Sequence, residues 1–234
     1  MQSGDRMDQQ TFHELYKQTP DGFKAELIGG IVYVASPVSF HHGKPHLAMA
    51  YWLARYVEDT PGVQGFDNAT TILGEKSEPQ PDLVMRIEPE YGGQTRNNQE
   101  KIIVGPCELV VEIANSSVAI DTHAKKADYE SAGVLEYLIV MVKPKSVVWY
   151  TRGKSGFREL APDAEGLLKS RVFPGLWLDP AGVFERSKKR LRAMLEQGLA
   201  SPEHAAFVNK LEAKRADLAK KSQQTDSPGG SSWQ

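Results

Sequence analysis

One cysteine, Cys107, occurs in 234 residues, which excludes an internal disulfide and a cysteine-built metal site and points to a reducing compartment. The chain has no excess of positive charge. Its 28 Lys and Arg stand against 30 Asp and Glu, for a net charge of −2 and a pI near 6.3, so any contact with nucleic acid must come from a local patch rather than a global field. Long apolar runs are missing too: none is long enough to span a bilayer, and the opening "MQSGDRMDQQ" has no apolar stretch of signal-peptide length. The expectation is a cytoplasmic protein with no membrane partner and with frayed first residues. What is present is 40% hydrophobic, enough for a real core.

The sequence contains three Pro-Asp pairs, and two of them read as turns. Pro20-Asp21 runs into Gly22, and Pro162-Asp163 into Ala-Glu-Gly, so in both the aspartate bonds its own backbone. Pro81-Asp82 instead leads into the apolar run "LVMRI", a strand whose first residue carries a charge that must be hydrated, paired or bound. A second carboxylate, Glu112, interrupts the apolar strand "CELVVEIAN", where an unpaired buried charge costs several kcal/mol.

The remaining pattern is mixed α and β. Asp8 caps a short opening helix, and "AELIGGIVYVAS" alternates across Gly29-Gly30 as a hairpin whose first strand carries Glu26. "HGKPHLAMAYWLARYVE" reads as an amphipathic helix opened by Pro45, with Leu47, Ala50, Tyr51, Ala54 and Val57 facing a sheet. "NATTIL" and "DLVMRI" read as neighbouring strands, and residues 88–101 as a long mobile loop. "DTHAKKADYESAG" is a helix with Asp121 as its N-cap and Lys125 and Tyr129 four apart on one face. "EYLIVMV" and "SVVWYT" are strands joined around Lys143-Pro144-Lys145. From Phe184 onward two charged, exposed helices form an appendage. The expected organisation is an α/β (α+β) domain over 1–182 with a mixed sheet flanked by helices, a helical extension over 183–222 and a disordered tail over 223–234.

Asp82, Glu112, Glu26 and Lys125 suggest one chemistry together. Two carboxylates on neighbouring strands hold oxygens at a fixed separation, as a hard divalent cation such as Mg²⁺ requires. A nearby ammonium offsets charge gathering on a phosphate.

At this point the chain resembles a known family. Pro81-Asp82, a long loop, "LVVEIANSS" and "DTHAKKADYESAGVLEYLIV" are similar to the PD-(D/E)XK nuclease superfamily, and within it to the Uma-type restriction-endonuclease-like branch. That branch combines a PD-led strand, an "EVLSPS"-like strand and D-x-x-x-K-x-x-x-Y before a "GVxEYW"-like strand. Here Asp121, Lys125, Tyr129, Gly133-Val134 and Glu136-Tyr137 supply that spacing, while "AELIGGIVYVASPVSFHH" aligns Glu26, Ser36-Pro37 and His42. The resemblance covers roughly residues 10–180.

It implies a restriction-endonuclease-like core, a DNA substrate and a metal-dependent endonuclease. Asp82, Glu112 and the Ile113 carbonyl would bind Mg²⁺ or Mn²⁺, with Glu26 assisting, Lys125 as the catalytic cation, and His42 and Tyr129 in support. The superfamily's lysine position holds Ala114, so Lys125 on the helix takes its place. Gly29 stands where the branch carries an acid, and Leu138 where it often carries Trp.

Plainer readings exist for each residue. Asp82 alone could be a turn residue, Glu112 could pair with Lys125 without catalysis, and Lys126 belongs to a solvated helix face. His41, His42 and His46 read as surface and helix-start histidines, since no cysteine or acid stands near them at ligand spacing, and "KKRLR" at 188–192 reads as a soluble helix. The alternative function is an idle nuclease fold acting as a binding or assembly module, paired through Leu195, Leu199, Val208 and Leu211; a homodimer is compatible with either.

Overall fold

Apolar runs with two-residue alternation build a six-stranded sheet at the centre of the molecule. The computed structural model describes residues 1–35, 40–185 and 188–225. Strands β1 (Ala25–Ile28) and β2 (Ile31–Val34) form the expected hairpin, with Gly29 and Gly30 at φ +57° and +79°, the left-handed values that its two-residue turn needs. Helix α1 (Gln9–Tyr16) packs Phe12 against it, and the Asp8 carboxylate accepts from Thr11 N–H at 2.8 Å. The first residues are not frayed as expected: Gly4 N–H donates to the Val32 carbonyl and Val32 N–H to that of Asp5.

Next come α2 (Phe40–Glu58), β3 (Val63–Asp67), β4 (Thr71–Ile72), β5 (Leu83–Ile87), β6 (Arg96–Asn97), β7 (Ile103–Val104) and β8 (Leu109–Ala114). A widened, π-type helical turn over Ile120–Lys125 runs into α3 (Lys126–Ala132). They are followed by β9 (Glu136–Met141), β10 (Ser146–Gly153), β11 (Gly156–Glu159), β12 (Leu168–Lys169), β13 (Trp177–Leu178), α4 (Pro180–Phe184), α5 (Lys189–Leu199) and α6 (Pro202–Thr225). The central sheet has the order β11-β10-β9-β8-β5-β3, antiparallel except for the parallel β8–β9 pair.

The two faces of this sheet bury different sets. Met85, Val111, Leu138 and Trp149 pack under α2, α4, α5 and α6, whereas Val84, Val110, Tyr137 and Ile139 pack with Tyr129 of α3. The alternation of β5 and β8 therefore directs even-numbered residues to the α3 side. Glu112 is one of them.

Several expectations change. Helix α2 starts before Pro45, which lies inside it, and it turns Ala48, Met49, Trp52, Leu53 and Tyr56 to the core while Leu47 is 73% and Tyr51 41% exposed. Both stripes have helical spacing; the one carrying Trp52, Met49 and Tyr56 removes more apolar surface from water. The outer neighbour of β5 is β3 and not "NATTIL", from which only β4 forms, pairing with β7 in a separate three-stranded sheet. Gly65 masked the β3 pattern, yet its missing side chain lets Val57 of α2 approach, since a Cβ there would lie 3.4 Å from a Val57 methyl. Residues 88–101 hold a 3₁₀ turn and β6, and they are tied down where Gln94 N–H and Ile87 N–H both donate to the buried Glu108 carboxylate.

The C-terminal helices are less exposed than their charge suggests. Leu191 and Leu195 of α5 and Phe207 and Leu211 of α6 join the core beneath α2, and Arg55 of α2 donates to Glu196 of α5 at 3.0 Å. Leu195 and Leu211 are thus spent inside the chain and do not form the subunit seam proposed for the assembly reading. Helix α6 continues to Thr225, into the segment expected to be disordered, and 226–234 lie outside the described residues.

Leu195→Ala is expected to lower unfolding free energy by about 2–5 kcal/mol in urea titrations, as deletion from a packed core does. Leu47→Ala on the exposed face of α2 should change it by no more than about 0.5 kcal/mol. The reverse ranking would contradict this assignment of faces.

Candidate active site

The register explains why a strand begins with Pro-Asp. Leu83 pairs with Val111 and Val84 with Val110, so one step further sets Asp82 opposite Glu112 on the α3 side, and Pro81 opposite Ile113. Beyond Leu83 the ladder stops, and the Asp82 carboxylate takes the place of a backbone partner: Ile113 N–H donates to Asp82 Oδ2 at 2.7 Å. Ala114 faces β9, where its carbonyl accepts from Val142 N–H. Alternation therefore turns the main-chain groups of Ile113, its carbonyl included, toward the gap beside Asp82.

Lys125 enters from the helix on that face. Its Nζ lies 2.9 Å from Glu26 and 3.0 Å from Glu112 Oε1, with Asp121 Oδ1 at 3.9 Å. Tyr129, one turn further on, donates its hydroxyl to the same Glu112 Oε1 at 2.8 Å. Glu26 is held in turn by Gln80 N–H, which donates to it at 2.7 Å, and the β1–β2 hairpin is pinned there through Leu27 and Glu78. Asp121 is not the N-cap expected: the helical segment begins at Val118, and Asp121 is buried within it, accepting from Ser117 Oγ.

Glu26, Asp82, Glu112, Asp121 and Lys125 line a cleft of about 360 Å³ between the hairpin and the ends of β5 and β8, with Tyr129 buried behind it. Four carboxyls, Glu26, Asp82, Glu112 and Asp121, meet one buried ammonium there, that of Lys125, with the exposed Lys24 at the edge. Burial opposes the charge on Lys125, yet Glu112, Glu26 and Asp121 hold its pKa above the ordinary lysine value. The surplus of acids shows on the other side: burial, then repulsion from Asp121, Asp82 and Glu26, pushes Glu112 up against the pull of Lys125. Asp121 is raised as well, by burial first, and its Oδ1 is buried with no hydrogen-bond partner among the described residues.

Asp82 has a different environment. Burial works against its ionised form, but His42, His46 and Ile113 N–H outweigh it and hold the carboxyl well below the usual range. His42 Nε2 lies 3.2 Å from each Asp82 oxygen, and His46 Nδ1 lies 3.5 Å from Oδ1 while its Nε2 meets Asp67 at 2.8 Å. The sequence reading missed His46 and Asp67. The signal was the four-residue step from His42 to His46, which sets both rings on one helix face; the acids that complete the group lie at the ends of β3 and β5 and are remote in sequence. Ser36-Pro37 of the expected motif lies outside the described residues.

The chemistry of the donors suits a divalent cation, while among the described residues the one group of three whose ligand atoms lie within 4.8 Å of one another joins Asp82 to His42 and His46. A buried surplus of carboxyls, an orphaned carboxylate oxygen and a main-chain carbonyl at the end of β8 are what a hard ion uses, and its charge would offset what Lys125 alone does not.

Comparison with known proteins agrees with this architecture. Residues 9–181 match the model of the family Uma2, described as "Putative restriction endonuclease". The chain belongs to the Uma2 family. Among solved structures, this Uma2 chain is similar to a "putative nuclease belonging to DUF820" from Anabaena variabilis ATCC 29413, with a TM-score of 0.54 and 15% identity over 78% of this chain and 97% of that one. That likeness supports the mixed α/β, nuclease-like fold expected from the sequence. No curated protein matches the chain.

His46 supplies a pH dependence that can be measured. Its bond to Asp82 comes first, burial opposes it, and Asp67 adds to it, so its folded pKa lies above its unfolded value. Its contribution to stability is thus complete below about pH 6.5 and fades as pH rises through the raised value. In chelator-treated protein the melting temperature is expected to fall from pH 6 to pH 8 by more in the native chain than in His46→Gln. Equal falls would contradict the pairing.

Proposed function

We propose that this Uma2 protein is a Mg²⁺- or Mn²⁺-dependent endonuclease that hydrolyses phosphodiester bonds in DNA. The observation that carries the reading is the cross-strand pair Asp82 and Glu112 on the same sheet face as the buried ammonium of Lys125. The descriptions of the family, "Putative restriction endonuclease", and of the similar solved protein, "putative nuclease", point the same way.

Asp82, Glu112 and the Ile113 carbonyl would hold the ion, with Glu26 and Asp121 as further oxygens within the cleft. Such an ion supplies Lewis acidity, activating water and neutralising charge on the phosphate. The chain's own groups do the positioning. Ile113 N–H fixes one oxygen of Asp82, and Lys125 with Tyr129 fixes one oxygen of Glu112, so both carboxylates are set before substrate arrives. The Lys125 ammonium, kept charged by its acidic neighbours, faces the developing negative charge of the pentavalent phosphate. Attack of a water oxygen on phosphorus in line with the P–O3′ bond, with that bond breaking and the leaving 3′-oxygen taking up a proton, would leave a 5′-phosphate and a 3′-hydroxyl.

Supercoiled plasmid is expected to be nicked in the presence of Mg²⁺ or Mn²⁺ and to stay intact in chelator. Glu112→Gln should abolish nicking, and Lys125→Ala should slow it by about 10²–10³-fold, the range seen on removing one preorganised charge-stabilising group. Nicking that survives Glu112→Gln, or that needs no divalent ion, would contradict the proposal.

A further inference from the structure

Among the described residues, one group of three side chains offers ligand atoms all within 4.8 Å of one another, and it is not the carboxylate pair: it is His42, His46 and Asp82. We propose that these three form a transition-metal site, selecting a borderline divalent ion such as Zn²⁺ or Co²⁺ over Mg²⁺. The inference concerns ion binding and stands whether or not the chain cuts DNA.

Three observations support it. The first is spacing. Metal–ligand bonds of about 2.0–2.1 Å to imidazole and carboxylate place neighbouring ligand atoms of a tetrahedral ion roughly 3.3 Å apart. His42 Nε2 and His46 Nδ1 lie 3.2 and 3.5 Å from Asp82 oxygens.

The second is the direction of the His46 ring. Asp67, whose Oδ1 also accepts from Asn68 Nδ2 at 2.7 Å, meets His46 Nε2 at 2.8 Å and so takes that N–H. The Nδ1 lone pair then points at Asp82 Oδ1, an acceptor facing an acceptor, and a proton or a metal ion must lie between them. A carboxylate on the far nitrogen of a histidine is also the arrangement that orients metal-ligating imidazoles and raises their basicity.

The third is placement. His42 and His46 sit one turn apart on α2, so a rigid helix presents both rings, with centroids 5.5 Å apart, and Asp82 anchors the third vertex through Ile113 N–H. His42 and Asp82 line the open cleft, which leaves a further coordination position toward solvent or substrate. Two imidazoles and one carboxylate favour borderline ions, whereas Mg²⁺ favours oxygen alone. Asp82 would thus be shared between this site and the carboxylate pair, and the imidazoles select the ion of this site alone.

The test uses the full chain, freed of metal and titrated with Co²⁺. Visible d–d absorption should appear at one equivalent and be displaced by Zn²⁺, but not by a hundredfold excess of Mg²⁺. Paramagnetically shifted, exchangeable imidazole N–H signals should appear in the native protein's NMR spectrum, which needs no variant. Affinity should drop at least about tenfold in His46→Ala and in His42→Ala, and roughly tenfold in Asp67→Ala, while the exposed His123→Ala is unchanged. Absence of the shifted signals, displacement by Mg²⁺, or affinity unaffected by both histidine variants would overturn the inference. If binding instead depends on Glu112 and not on the histidines, the inference fails and the endonuclease reading survives; imidazole-dependent Co²⁺ binding without any nicking is the opposite case.

Discussion

Everything at the cleft depends on keeping one ammonium charged away from water. Lys125 is almost fully buried, and its charge persists because Glu26 and Glu112 lie at 2.9 and 3.0 Å, with Asp121 beyond them. An unpaired lysine there would lose its proton, and unpaired acids would gain one. While Asp82 is held down by His42, His46 and Ile113 N–H, the pairing keeps Lys125 charged and opposes the burial that pushes Glu112 and Asp121 up. It also ties three distant parts of the chain together, since Glu26 comes from the N-terminal hairpin, Glu112 from a central strand and Lys125 from the helix that follows it.

The sheet makes this convergence a matter of register. Asp82 and Glu112 share a face because the β5–β8 ladder sets residues summing to 194 opposite one another, and a slip of one residue would send Glu112 into the apolar layer under α2. Where β5 ends, the ladder leaves a main-chain donor and acceptor on Ile113 without a strand partner, and Asp82 takes the donor. The widened helical turn at Ile120–Lys125 aims Asp121 and Lys125 into the same gap, and turns of this kind occur often at functional sites. The cleft gathers four carboxyls around the buried ammonium of Lys125, and His42 lines it beside Asp82.

Part of this was legible in the sequence, and the physical reason is local oddity. A carboxylate at the mouth of an apolar run and another inside one are expensive enough to draw the eye to Asp82 and Glu112, with Lys125 as a nearby cation, while the case for Asp82 over a turn residue and the roles of Tyr129 and His42 come with the family resemblance. The Gly29-Gly30 hairpin and the alternation of β9 and β10 were readable for the same reason. What could not be read needed tertiary contacts. Two stripes on α2 had equal periodicity, and only the volume of Trp52 and Met49 against the sheet selects between them. Gly65 hid β3 because a glycine weakens a strand pattern even where close helix packing needs it. His46 looked like a surface residue until β3 and β5 brought Asp67 and Asp82 beside it, and Leu191 and Leu195 looked like part of an exposed helix until α2 covered them.

The central claim, that these side chains surround a divalent cation at the end of β5, is tested most directly by anomalous diffraction from crystals soaked in Mn²⁺. The account expects a single strong anomalous peak in the cleft within about 2.5 Å of an Asp82 oxygen, with the side chains around it ordered as ligands. A cleft with no peak at saturating Mn²⁺, its Lys125–Glu112 pair intact and Asp82 bonded to protein alone, would contradict it.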